Sequence, residues 1–197
     1  MTIGYLVEGT NDDGFVRGLA ARYCPHAKLV SGRYRGSTGT SIRRELRKSL
    51  TGLFEGESRC DYVVILRDAN KEDWREVLNR ESKIVPETYR HAVLMGVASE
   101  NIESWLAADR TALAKALGCD EAEMPLEGLA GWVKHQFQIL ARRRSPAAPV
   151  SSQVAEFVRD APFGDWLRNN EPFAGFWNDI FQQSKRIDSC DIPNERN

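Results

Sequence analysis

Histidine is scarce in this chain and cysteine is dispersed. Only His26, His91 and His135 occur in 197 residues. They are scattered, which favours ordinary surface or core histidines over a catalytic one. Cys24, Cys60, Cys119 and Cys190 form no CxxC pair, so spacing supports neither a zinc ribbon nor a redox motif; they read as reduced thiols that pack. No uninterrupted apolar stretch approaches the roughly 20 residues of a membrane-spanning helix. The N-terminus enters a strand-like pattern without a basic and apolar leader, so a soluble cytoplasmic protein without a membrane partner is expected. An excess of charge of one sign is also missing, since 27 Lys and Arg face 28 Asp and Glu. A nucleic-acid partner would therefore need a local basic patch. The glycine-containing stretch from Gly32 to Thr40 lacks the lysine of a P-loop, so this chain is not expected to hydrolyse nucleotides. No internal repeat or low-complexity tract is present.

What the chain has is enough apolar residue content, 42%, to bury an ordinary core. "IGYLV" reads as a strand ended by Gly9, with Asn11 or Asp12 as the cap of a helix that aligns Phe15, Val16, Leu19 and Tyr23. "AKLVS" is a second, weaker strand. A helix follows with Ile42, Leu46, Leu50 and Leu53 in one stripe. The β-branched run "YVVILRD" is the clearest strand; it precedes a helix from about Trp74 to Ser82, the strand "HAVLMGVAS" and a helix opening at "ENIESWLAAD". Such alternation predicts an α/β fold, a mostly parallel sheet with helices on both faces. The character changes after Gly118. "LEGLAGWVKHQFQILARRR" predicts one long helix, with Arg142, Arg143 and Arg144 suited to its C-terminal dipole. "SPAAPVSS" is a loop, and the aromatic-rich remainder is helical. Residues 1–118 thus form an α/β core, and 119–197 a helical C-terminal cap over one sheet edge. Trp105, Leu106 and Trp132 read as core.

The opening "YLVEGTNDDGF" is dense in carboxylates, with Glu8, Asp12 and Asp13 within six positions. Ligand sites of open parallel sheets lie beyond the carboxyl ends of the strands. Glu8 ends the first strand, Asp68 and Asn70 end the third, and Glu100 and Glu103 follow the fourth. These oxygens, with Asp12 one helical turn past Glu8, are predicted to meet on one rim, an oxygen-only donor set suited to Mg²⁺ or Mn²⁺. The bland alternative is that lone acids such as Asp12, and the amide of Asn101, only cap helices.

"VEGTNDDGF" followed by a strand ending in "LRDAN" resembles the TOPRIM fold of topoisomerases, primases and overcoming-lysogenization-defect nucleases. There a Glu-Gly pair ends the first strand and an Asp-x-Asp ends the third. "GRYRGSTGTSIRREL" and "VASENIESWLAAD" are similar to segments of a bacterial TOPRIM-like family associated with defence loci and partner ATPases. The resemblance covers roughly the first 110 residues. It implies a TOPRIM-like (Rossmann-like) fold in which Glu8 is the metal-linked carboxylate or general acid/base and Asp12, Asp68 and Glu103 are metal ligands. Two positions depart from the pattern: Asn11 stands where the family has threonine, and Asn70 where it has the second aspartate. An amide oxygen at Asn70 can still ligate a hard cation, without adding charge.

The implied activity is a Mg²⁺- or Mn²⁺-dependent nuclease with Glu8 and Asp68 as catalytic residues, in a defence or toxin system with an ATPase partner. No tyrosine lies in a topoisomerase context, which favours cleavage over rejoining. The candidate nucleic-acid surface is Arg33 and Arg35 with Arg43, Arg44, Arg47 and Lys48, which could equally be a solvated helix face. The alternative function is a non-catalytic TOPRIM-like module that binds a protein or nucleic acid, the reading that Asn70 favours. The oligomeric state is open to a homo-oligomer.

Overall fold

The computed structural model describes residues 1–32, 40–145, 147, 149–184 and 190, with the side chains of 40–42 and 184 excepted. Four strands are linked by helical crossovers: β1 (Thr2–Leu6), α1 (Thr10–Tyr23), β2 (Lys28–Ser31), α2 (Thr40–Glu55), β3 (Tyr62–Asp68), α3 (Trp74–Ser82) and, after a 3-10 segment at Glu87–Ala92, β4 (Val93–Ala98). They form one parallel sheet in the order β2-β1-β3-β4. The α/β class is therefore as the alternation predicts. "HAVLMGVAS" is shortened, because His91 and Ala92 belong to the 3-10 segment.

Side chains alternate between the two faces of each strand, and two apolar layers result. Leu6, Val63, Ile65, Met95 and Val97 pack with Leu46, Leu50 and Leu53 of α2 and Val77 of α3. Tyr5, Leu66 and Leu94 point the other way, onto Phe15, Val16 and Leu19 of α1. The chain then continues on that second face as α4 (Ile102–Leu106), α5 (Arg110–Leu117), α6 (Leu129–Arg144), α7 (Val150–Asp160), α8 (Phe163–Asn169) and α9 (Glu171–Ser184). Phe163, Trp166, Phe173 and Trp177 of α8 and α9 join the core that holds Tyr5, Phe15 and Trp105. The C-terminal helices thus cover a face, where the sequence suggested an edge. Aromatic rings of this size need a wide apolar surface, and a face supplies it. Trp105 and Leu106 are fully buried, as expected, and Trp132 is partly buried.

Two local expectations need correction. Helix α1 starts at Thr10 with Gly9 as its N-cap; Asn11 and Asp12 lie inside the first turn, and Asp12 reaches back to the backbone N–H groups of Glu8 and Gly9. Cys24 is disulfide-bonded to Cys190, 166 positions further along the chain, with Cα atoms 4.6 Å apart. Only Cys60 and Cys119 are free thiols among the four. No helix among the described residues is long and apolar enough to cross a membrane.

Candidate functional site

The strand order reverses direction at β1: β2 lies on one side of it, β3 and β4 on the other. Open parallel sheets form a ligand crevice at such a switch point, outside the carboxyl ends of the strands. Glu8 leaves β1 there, and Asp68 is the last residue of β3 beside it. Alternation divides the neighbours of that crevice. Arg67 faces the α3 side, where Glu81 meets it, whereas Asp68 faces the α1 and α4 side with Asp12 and Glu103.

Each acid is held by a specific donor. The Oδ2 of Asp12 accepts from Glu8 N at 3.1 Å and Gly9 N at 2.9 Å. Glu103, 3% exposed, accepts from Asn11 Nδ2 at 2.6 Å, and Asn11 is buried as well. Glu8 is paired with Arg67 Nη1, and Arg67 is fixed in turn by Glu81 through Nε at 2.9 Å and Nη2 at 3.2 Å. Asp13 leaves the rim altogether: Tyr5 donates its hydroxyl to Asp13 Oδ1 at 2.5 Å, and Arg17 pairs with Asp13 Oδ2 at 2.8 Å.

Burial raises the Asp68 carboxyl to about 7, and repulsion from Asp12, Glu8 and Glu103 adds to it, while the backbone N–H of Ile102 pulls the other way. Burial likewise raises Asp12 to about 6. The bonds from Gly9 and Glu8 oppose that rise, and the charges of Glu103 and Glu8 reinforce it. Four carboxylates from three separate stretches of sequence thus interact electrostatically across one crevice.

A hard divalent cation suits this chemistry. All donors are oxygens, burial and the neighbouring acids hold two of the carboxyls against ionisation, and the buried Oδ1 of Asn101 has no hydrogen-bond partner among the described residues. The ligands are not gathered into a finished cage, however. Among the described residues no three of His, Cys, Asp or Glu stand close enough to enclose a metal ion.

Other predicted residues fall elsewhere. Asn70 does not continue the strand; it is exposed, has φ 55° in the left-handed region, and donates from Nδ2 to the backbone oxygen of Asp68 at 3.3 Å. The expectation that it meets the acids on the rim as a metal ligand is therefore corrected, because at this left-handed turn its side chain is exposed and bonded to the backbone of Asp68. Glu100 is exposed and offers its backbone oxygen to Asn70 N. Arg43, Arg44, Arg47 and Lys48 are exposed on α2; Arg43 and Arg44 lie in its first two turns, the end that topology brings to the rim. Arg33 and Arg35 lie outside the described residues. The three histidines are exposed. Sequence reasoning missed Arg67, Glu81 and Asn11. The period-2 pattern could have flagged Arg67 as a charge inside a buried strand, but nothing in the sequence marks Glu81 as its partner.

No family model and no curated protein matches the sequence. Among solved structures, a hypothetical protein from Pyrococcus horikoshii OT3 superposes with a TM-score of 0.46 at 16% identity, over 94% of this chain and 98% of that one.

Proposed function

We propose that the chain is a divalent-cation-dependent, TOPRIM-like nuclease that hydrolyses phosphodiesters of DNA or RNA at the rim between β1 and β3. One observation carries this reading: Glu8, Asp12, Asp68 and Glu103 converge at the switch point with two carboxyls pushed up by burial and mutual repulsion. Asp68, Asp12 and Glu103 would hold Mg²⁺ or Mn²⁺. When bound, such a cation supplies Lewis acidity at a phosphate oxygen and lowers the pKa of a water. Glu8, the most accessible of the four, moves a proton to or from the attacking or leaving oxygen. The exposed cations at the start of α2 would hold the phosphate backbone. Action in the cytoplasm with an ATPase partner in a defence or toxin system rests on the resemblance to TOPRIM-like proteins of defence loci.

Asn70 favours a second reading, a non-catalytic TOPRIM-like module that binds a protein or nucleic acid, because the family's second aspartate is both replaced and turned outward. Calorimetric titration with Mn²⁺, paired with cleavage assays on DNA and RNA, separates the two. The nuclease reading expects the wild type to bind Mn²⁺ and cleave. The Glu8→Gln, Asp68→Asn double variant should lose affinity at least about tenfold, the scale of one or two lost charge-assisted contacts. Equal binding by both proteins removes the cation site and leaves the module.

A further inference from the structure

A second cleft, of about 660 Å³, lies among the C-terminal helices, between α5, α6, α7 and the start of α8, and none of the four rim acids lines it. Its volume falls within the roughly 300–1,000 Å³ of small-molecule sites. Phe137 and Phe157, with ring centroids 5.9 Å apart, and Leu140 give it an apolar wall. Gln153 of α7 lines it too, although the residue is only 5% exposed, and its Oε1 is buried with no hydrogen-bond partner among the described residues. A carbonyl desolvated in this way costs stability unless a donor reaches it. The charged groups along the cleft are mostly acidic: Asp109, Glu156, Asp160 and Asp165 against Lys115 and Arg144. Asp109 caps α5, accepting from Ala112 N at 2.8 Å, and Glu156 is paired with Arg144. Asp160 and Asp165 are paired with Arg159 and Arg168, which do not line the cleft, in exposed ion pairs. Such pairs contribute little, so a cation entering the cleft displaces them at small cost.

We infer that this cleft binds a small organic amine with a flat apolar body, its ammonium at Asp160 and Asp165 and a ring N–H at the amide of Gln153. Gln153, Glu156 and Asp160 follow one another at spacings of three and four, on one face of α7. The deep amide and the outer carboxylate are therefore about 10 Å apart along the helix, a span that suits an elongated ligand. Its ring system lies against Phe137 and Phe157, which excludes water from the contact. A half-turn of the Gln153 amide about its last side-chain bond presents Oε1 to the cleft, since the two ends of the group are alike in shape. A carboxylate or phosphate ligand is disfavoured, because it would face the acids at close range. A bare metal ion would leave the aromatic wall unused. The site is independent of the rim, so failure of the cation reading leaves it untouched.

Tryptamine is the probe, since it joins an indole N–H to an ammonium; indoleacetate, the same ring with a carboxylate, is its control. Titration of the full chain followed by NMR should show tryptamine binding at least about tenfold more tightly than indoleacetate, the scale of one charge-assisted contact. Gln153→Leu replaces the unsatisfied amide by an apolar side chain of similar size, so the variant should melt no lower than wild type. It should bind tryptamine about three- to tenfold more weakly, the scale of one lost hydrogen bond. Asp160→Asn, at an exposed position, should weaken tryptamine about two- to fivefold and should not weaken indoleacetate. Equal affinity for the two probes, no binding of tryptamine, or a folded Gln153→Leu variant of unchanged affinity each overturns the inference. A loss of tryptamine binding in Asp68→Asn, with none in Asp160→Asn, places the amine at the rim and overturns it as well. Should Gln153→Leu fail to fold, the side-chain amide signal of Gln153 in the wild type replaces it: tryptamine should shift that signal, and a signal that stays in place sinks the inference.

Discussion

At the scale of single residues, the rim places ionised groups where the fold disfavours them, and pH reads that cost directly. The folded-state value of Asp68 is about 7 against an ordinary carboxylate near 4. Between those values the native state binds a proton that the unfolded chain has released, so stability falls as pH rises through the window. Below about pH 4 both states are protonated and the penalty vanishes. Asp68→Asn keeps the shape and the acceptor for Ile102 N–H while removing the charge. It should therefore raise stability by about 1–3 kcal/mol at pH 8 and change it little near pH 4. Urea melts at the two pH values check this, and a gain at pH 4 equal to that at pH 8 would contradict the burial of Asp68. The acids of the rim were legible in the sequence because strand ends of a parallel sheet must meet. Their tethers were not: whether Asp12 turns back to Gly9, or Asn70 turns outward at positive φ, depends on local dihedrals that no residue pattern fixes.

At the scale of elements, α1 positions the rim, and its own position is set by contact with α7. Gly14 and Gly18 lie one turn apart on the face toward α7. A Cβ at Gly14 would stand 2.5 Å from the backbone oxygen of Ser151 and 2.7 Å from Val154 Cβ, and one at Gly18 would stand 2.6 Å from Val158 Cβ. Alanine normally stabilises a helix relative to glycine by about 1 kcal/mol. Here steric overlap with backbone outweighs that gain, so Gly14→Ala and Gly18→Ala should each destabilise by about 1–3 kcal/mol, the range for overpacking. Gly52 of α2, where an added Cβ meets nothing within 4 Å, is the control; Gly52→Ala should stabilise. Denaturant midpoints of the three variants test the contrast. The apolar stripes of α1 and α2 were readable from their 3.6-residue period, as was the span of α3. The glycine pair was not, because a small residue in a helix looks the same whether it faces water or another backbone.

At the scale of the whole molecule, the alternation of strands and helices announced the sheet, but the relation of the last 79 residues to the first 118 depends on contacts across the entire chain. Phe15 packs against Trp166 and Phe173, Trp105 against Phe173 and Phe176, and Tyr23 against Phe163 and Trp177. The Cys24–Cys190 bond ties the end of α1 to the region beyond α9. A disulfide across so long a loop mainly restricts the unfolded chain, and it is an uncommon feature in a reducing cytoplasm. The aromatic contacts mean that the helices after Gly118 complete the core on the α1 face instead of resting on a finished one. A fragment of residues 1–118 would strip Phe15 and Tyr23 of α1, the helix that begins at the acidic rim, and Trp105 of α4 of the aromatic partners that α8 and α9 supply. Such a fragment should melt without a cooperative transition and bind a hydrophobic dye while keeping much of its far-ultraviolet circular dichroism, the signature of lost tertiary packing. In the full chain, Trp166→Ala should cost about 3–5 kcal/mol, as for other large core truncations. A fragment that melts cooperatively would show that the first 118 residues are an autonomous domain, and that the rim geometry does not depend on the C-terminal helices.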